Sequence, residues 1–318
     1  MKRLIAIVIS LGLLAAIYSL IDLDAFIAVV LHCRGGLLLV GLAMVAPITV
    51  FTAWRFLLLV PRWANVGLGE ALKLVLAAST LNMVLPSKIG DLSKAYFMRN
   101  KGHMTGPAAL SVVLFEKLCD VLSLLSWCLV GLLVLQSADA VVRGLGVAAA
   151  CLWVIGLSLL VSRRLAGLFF GLARLIPWAK AREFIGRTEQ SWSVMQRQLA
   201  ASPAAGLRVA LASLALWLMH LLQIWLFILA LNAQVGLVVS FSLTALAIFA
   251  GLLPFSFAGV GARDAALIYL YAGYFSPAVG AALGLLCTMR YVMPALAGLP
   301  FIAAYMRAAP GGSPSAGA

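Results

Sequence analysis

From Val209 to Ala262 the chain contains no Asp, Glu, Lys or Arg. Any element of a soluble domain turns a side towards water every few residues, so a charge-free run this long has no place on an aqueous surface. It reads as apolar passes through a bilayer, relieved by one polar break at Asn232 and Gln234. The rest of the chain agrees. Hydrophobic residues make up 64% of the 318 and charged residues 10%, against about 25% charged in soluble domains. The fold class is therefore an all-α polytopic membrane protein. Continuous apolar runs, rather than short alternating ones, argue against a β-barrel. The formal charge of +13 lies in clusters beside apolar runs, where topology and anionic lipid put it, so no nucleic-acid partner is expected.

Six spans follow from the apolar runs. Leu4–Ile21 comes after Lys2 and Arg3 in the layout of a signal peptide, but no small-residue cleavage site precedes Asp22. It reads as a retained first span with a cytoplasmic N-terminus. A short loop then carries Asp22, Asp24, His32 and Arg34. Leu37–Val60 is the second span, interrupted by Pro47, with Arg55 near its end and Arg62 beyond, both suited to the cytoplasmic side. Ala108–Leu135 and Val141–Val161 are the third and fourth, Val209 to about Leu231 the fifth. The sixth runs from about Pro277 to Tyr305, interrupted by Arg290 and Pro294. Residues 1–307 thus form one transmembrane domain, and the Pro/Gly/Ser/Ala tail 308–318 is expected to be disordered.

Between the fourth and fifth spans, residues 163–208 carry eight basic residues against Glu183 and Glu189, the strongest cytoplasmic signal in the chain. Within it Ala181, Phe184, Ile185, Thr188, Trp192, Met195 and Leu199 recur at helical spacing. An amphipathic helix results, lying either on the membrane with tryptophan at the interface or on the protein's own cytoplasmic face.

Two broken apolar segments interrupt this plan. The first is Asn82-Met-Val-Leu-Pro86-Ser-Lys88-Ile-Gly90-Asp91-Leu-Ser-Lys94. Its approach, Leu74–Leu85, is about a dozen uncharged residues, short of the roughly 20 that a spanning helix needs. The stretch behind it carries Lys88, Lys94, Arg99 and Lys101 against Asp91, and a crossing would put that charge outside. A re-entrant hairpin keeps it inside. The second is Leu253-Pro254-Phe-Ser-Phe-Ala-Gly259-Val-Gly261-Ala-Arg263-Asp264, approached by Val235–Leu253, which is long enough to span. Three spans separate the two breaks, so the second half is inverted relative to the first, and symmetry makes the second segment a hairpin as well. Paired broken segments in inverted halves mark transporter binding sites.

The ordered set Asn82-x3-Pro86-x3-Gly90-Asp91-x2-Lys94, Phe115-Glu116-Lys117-Leu118-Cys119-Asp120, Leu253-Pro254-x4-Gly259-x-Gly261-x-Arg263-Asp264 and Arg290-Tyr291 resembles the flippase-like membrane domain of lysylphosphatidylglycerol synthases. The likeness runs from about Leu37 to Tyr305. Asp91 stands where glutamate is common in that family, and Lys88, Lys94 and Lys117 where arginine is common. Lysine lacks arginine's planar fork, which bears on head-group selectivity. The soluble acyltransferase-like domain of the synthases has no counterpart here, so the resemblance implies lipid handling without synthesis. Some stand-alone relatives in that family are associated with glycosyltransferases or hopanoid genes.

Broken helices leave N–H groups and a positive dipole end that suit a lipid phosphate. Lys88, Lys94 and Arg263 follow the breaks and either meet that phosphate or snorkel to the head-group region. Glu116 and Asp120 share a helix face and either pair with Lys88, Lys94 or Arg290 or carry a proton; intramembrane charges are commonly paired. Arg290 is a counter-ion or a phosphate ligand. His220, alone in a span, reads as a hydrogen-bonded core residue. The five cysteines include no CxxC pair, and no phosphate-binding loop, HExxH or Ser/His/Asp set is present. No metal, cofactor or enzyme activity is expected. The expected function is translocation of a lipid with an anionic or isoprenoid-type head group in the cell inner (plasma) membrane. The alternative is a non-transporting scaffold or accessory partner of a lipid-modifying enzyme or glycosyltransferase.

Overall fold

The computed structural model describes residues 23–85, 90–135, 140–175, 178–252 and 261–307. The expected first span, the tail, and Pro86, Lys88, Pro254 and Gly259 lie outside the described residues. Within them the regular structure is helical, in the order α1 (Leu23–Leu31), α2 (Gly35–Ala43), α3 (Val45–Leu59), α4 (Leu68–Val84), α5 (Ser93–Asn100), α6 (Gly106–Leu135) and α7 (Ala140–Val161). Then come α8 (Arg163–Ala173), α9 (Ala179–Ala201), α10 (Pro203–Ala230), α11 (Leu237–Gly251), α12 (Ala262–Leu270) and α13 (Pro277–Arg307). Among the described residues, four stretches are long and apolar enough to cross a membrane: Gly35–Leu59, Ala140–Val161, Pro203–Ala230 and Pro277–Tyr305. With 30 residues, α6 has the length too, but it carries Glu116, Lys117 and Asp120.

Several boundaries differ from the sequence reading. Residues 23–31 form α1 rather than a loop, with Asp24 in the first turn, where a carboxylate complements the helix dipole. Phe26 and Val29 pack against Ala278 and Ala281. The second span breaks at Met44, between α2 and α3, because the ring of Pro47 crowds the carbonyl one turn earlier. Arg290 and Pro294 do not interrupt the last span; α13 continues through Pro294 and Pro300.

The two halves repeat each other. A long span is followed by a helix of 17 residues, a short one of 8 and a long one of 30 in α4, α5 and α6. After α10, the series is 15, 9 and 31 in α11, α12 and α13. At ~1.5 Å per residue, α4 and α11 are ~25 and ~22 Å long, short of the ~30 Å hydrocarbon core. This is the length of re-entrant helices, and the 15 residues of α11 are fewer than the sequence allowed for the second break.

The halves are also interleaved. Helix α4 of the first half packs most heavily on α13 of the second, and α11 of the second on α6 of the first. Both contacts rest on a bare glycine: a Cβ on Gly298 would overlap Leu76 and Thr80, and one on Gly131 would overlap Ser242. Thr80 Oγ1 adds a hydrogen bond to Ala295 O at 2.6 Å. Small residues let helix backbones approach where lipid offers no hydrophobic drive for association. Such reciprocity is what an inverted repeat produces.

The amphipathic α9 takes the second of its two readings. Trp192 is 5% exposed, with its ring 5.1 Å from Phe115 and 5.9 Å from Phe170. Ser111 Oγ donates to Thr188 O at 2.8 Å, and Gln196 Nε2 to Leu159 O at 2.9 Å. The expectation of Trp192 at the membrane interface is thereby corrected: its apolar face closes on α6 and α8. Leu168, Phe169 and Leu172 of α8 and Trp178 beyond it are among the exposed apolar side chains of this layer.

Candidate functional site

The first hairpin, α3 and α6 converge on a set of buried charges. On α6, Glu116 and Asp120 are one turn apart and face α3, where Arg55 reaches both, at 3.4 and 2.7 Å. Lys117 bonds Asp120 at 3.1 Å and Asp91 at 2.5 Å. Lys94 lies 4.0 Å from Asp91 and bonds directly to Glu116. The contacts close into a ring of six alternating charges: Arg55, Asp120, Lys117, Asp91, Lys94, Glu116. Its net charge is zero, and each member has two oppositely charged neighbours, which is how ionised groups persist where water is scarce. Arg55 and Glu116 are 0% and 1% exposed, Lys94 2%, whereas Lys117 is 37% exposed on the open side.

The residues on either side of the first break are shaped for this. Gly90 passes so close to α4 that a Cβ would overlap the backbone of Leu81 and Asn82. Asn82 Oδ1 accepts from the Asp91 N–H at 3.2 Å, fixing the start of α5 and the direction of Asp91 and Lys94. The buried ion pair of Lys94 decides its reading: it does not snorkel.

The ring forms one wall of a cavity of about 180 Å³. The opposite wall comes from α10 and α13 and includes Trp217, His220, Gln223, Arg290 and Tyr291. Arg290 is 4% exposed. Its Nη1 lies 3.1 Å from His220 Nδ1 and 3.4 Å from Gln223 Oε1, and its Nη2 donates to Tyr291 OH at 2.7 Å. Guanidinium only donates, so His220 Nδ1 accepts. Gln223 Nε2 is tied to Gly41 O at 2.8 Å, which holds its oxygen towards Arg290. Among the described residues no carboxylate pairs with Arg290, and its Nε has no partner. Among the described residues the cavity thus combines a neutral ring with a cation that no carboxylate pairs, and a buried cation of that kind favours an anion.

The second break does something else. Gly261, at φ 93°, caps α12, and its N–H donates to Asp264 Oδ2 at 3.3 Å. Arg263 donates to Asp264 Oδ1 through Nε at 2.8 Å and Nη2 at 2.6 Å. It also donates to Gly284 O at 3.0 Å, Thr288 Oγ1 at 2.9 Å and Cys287 O at 3.4 Å. All three acceptors lie on α13, so Arg263 pins α12 to α13 and does not line the cavity.

Of the residues the sequence singled out, Asn82, Asp91, Lys94, Glu116, Asp120 and Arg290 therefore meet around one cavity, and Gly90 packs beside Asn82 on α4. Gly261, Arg263 and Asp264 form a separate structural clamp. Arg55, His220 and Gln223 belong to the site without having been singled out for it, and Lys117, quoted in the motif of the resemblance, joins them. Arg55 lies inside an apolar run, a signal of its own; its closeness to Arg62 gave it the reading of a cytoplasmic anchor. His220 and Gln223 are three apart in the charge-free stretch, the spacing of one helix face.

Comparison with known proteins supplies the family. No curated protein matches the chain. The family described as the lysylphosphatidylglycerol synthase TM region matches residues 3–298, which takes in the ring, the cavity and both broken segments. This chain is a membrane protein belonging to the lysylphosphatidylglycerol synthase TM region family.

Proposed function

We propose that the chain is a flippase-like lipid translocase that takes the anionic head group of a membrane lipid into the cavity between the ring and Arg290. The observation that carries this reading is that, among the described residues, buried Arg290 has no carboxylate partner at a cavity whose other charges cancel. A lipid phosphate brings the missing negative charge. Head groups do not cross hydrocarbon unaided, because an unpartnered charge there is costly. A polar path flanked by two short hairpins removes that cost while the acyl chains stay in lipid.

On this reading the chain handles lipid without making or breaking a covalent bond and needs no cofactor. Its partners are lipids with anionic or isoprenoid-type head groups, and an enzyme that synthesises such a lipid, or a glycosyltransferase, is a natural neighbour. The basic residues 163–208 support a location in the cell inner membrane with this segment, and the N-terminus, in the cytoplasm.

The test is reconstitution into liposomes with a leaflet-accessibility assay on anionic, aminoacylated and isoprenoid-linked lipids. Faster exchange than in empty liposomes, abolished by Arg290→Gln, is expected. No acceleration for any lipid would sink the proposal. If neutral replacements of Glu116, Asp120 and Arg290 then left the cellular phenotype intact while removal of residues 163–208 abolished it, a scaffold role would take its place.

A further inference from the structure

Helix α8 starts two residues beyond the end of α7, which is long and apolar enough to cross a membrane. It therefore lies at the level where hydrocarbon gives way to head groups. Ser162 turns the chain there, its side chain accepting the Leu165 N–H at 3.4 Å. Three sides of the helix have different surroundings. Ala166 and Phe170 are buried in the bundle, with the Phe170 ring 5.9 Å from Trp192. Arg163, Gly167, Gly171 and Arg174, at four- and three-residue steps, share a second side. Leu165, Leu168, Phe169 and Leu172 share the third, and all four are exposed, as are Leu175 and Trp178 beyond them.

Two observations say what covers the apolar side. The first is direction. Helix α9 sits on the side of Gly167 and Arg174: Glu189 pairs with Arg174, and a Cβ on Gly167 would stand 3.5 Å from Glu189 Oε1. Further along α9, Glu183 and Arg187 pair with each other in the open, so this side of α8 is the wet one. Leu165, Phe169 and Leu172 point away from it. The second is charge. Glu183 and Glu189 are engaged by Arg187 and Arg174, and among the described residues no carboxylate pairs with Arg163, Arg164, Lys180 or Arg182. All four are exposed. Cations bordering an apolar strip that ends in a tryptophan match the surface of an anionic bilayer, where phosphate and hydrocarbon lie one above the other.

We infer that α8 and Trp178 form an interfacial anchor, with Leu165, Leu168, Phe169 and Leu172 seated among the acyl chains of one leaflet and Arg163, Arg164, Lys180 and Arg182 holding its anionic head groups. The amphipathic segment that lies on the membrane is then α8 and not α9. This surface stands apart from the charged cavity and serves the chain whether or not it moves lipid. It fixes the depth of the bundle in the bilayer and enriches anionic lipid beside it.

The experiment uses the full chain, freed of its native cysteines, in phosphatidylcholine vesicles with a minor share of phosphatidylglycerol. Bimane is attached at Leu165→Cys, Leu172→Cys or Gly171→Cys, the last in open space. Phospholipids brominated along the acyl chain should quench the first two and leave the third bright, and iodide in the water should do the reverse. Quenching at Leu172→Cys should be stronger when phosphatidylglycerol carries the bromine than when phosphatidylcholine does. That preference should be lost at high salt, and when Arg163, Arg164, Lys180 and Arg182 are all replaced by Gln in a protein that elutes as a native monodisperse species. Iodide quenching at all three positions would overturn the inference and leave the apolar side to a protein partner, since the vesicles contain none. Equal quenching by the two brominated lipids, or a preference that survives loss of the four cations, would overturn it too. Neither readout involves lipid exchange, so the anchor and the transport reading fail separately.

Discussion

Arg55 on α3 and Asp120 on α6 meet at 2.7 Å, with Arg55 wholly buried and its Nη1 also donating to Ser213 of α10 at 3.0 Å. One side chain thus ties three helices, and its guanidinium faces both Glu116 and Asp120 inside the bundle. Losing one partner of a buried network leaves the others uncompensated.

Arg55→Gln should therefore destabilise the protein by about 3–5 kcal/mol, the usual cost of breaking a buried pair from one side. Denaturant titration in detergent measures it. The double variant Arg55→Gln, Glu116→Gln should recover part of the loss, since the orphaned acid goes with its partner. An additive double variant would mean that the two residues are not coupled.

Arg290→Gln should behave in the opposite way. No carboxylate depends on Arg290 among the described residues, so its removal orphans no acid. The melting temperature should move little while binding or exchange of anionic lipid is lost. A large drop in melting temperature would show that Arg290 holds the fold rather than a ligand.

Arg263→Gln should lower stability, because Asp264 and three acceptors on α13 lose their donor. The variant that does fold should keep the wild-type order of preference among lipid head groups, since Arg263 stands apart from the cavity. A changed order of preference, measured in the exchange assay, would place Arg263 in the head-group path.

Gly131→Ala tests the interleaving of the halves. The added Cβ would lie 2.6 Å from Ser242 Cα, so the helices must part, at a cost of about 1–3 kcal/mol for overpacking. Gly144→Ala, with nothing within 4 Å of its Cβ, should be neutral or slightly stabilising. Similar yields and melting temperatures for the two would argue against the close contact of α6 and α11.

Re-entry of both broken segments, read from their length, predicts a topology that labelling can test. In a cysteine-free background, Thr105→Cys should be labelled by an impermeant reagent only from the cytoplasmic side and Gly273→Cys only from the opposite side; both positions are exposed. Labelling of both from one side would remove the inversion.

Much of this was legible in the linear chain for a plain physical reason. Backbone groups cannot be left unpaired in lipid, so apolar runs must be helices, and runs too short to cross must turn back. That reasoning makes the first broken segment a hairpin, and the symmetry of the halves extends the reading to the second, whose approach Val235–Leu253 is long enough to span. It also places Glu116 and Asp120 on one face, because helical periodicity is a local property.

What periodicity cannot say is which face meets which. Arg55 is 61 residues from Glu116, and only the packing of α3 on α6 makes it their counter-ion rather than an anchor at a membrane edge. Lys94 and Arg263 look alike in sequence, each following a broken segment and a glycine. Lys94 enters the ring because Asn82 and Gly90 aim α5 at α6, and Arg263 is consumed by Asp264 and the carbonyls of α13. Trp192 has interfacial spacing yet is buried, because Phe115 and Phe170 arrive from distant helices to cover it. A charged side chain in a membrane takes whichever partner lies within a few ångströms, and tertiary structure alone decides that distance.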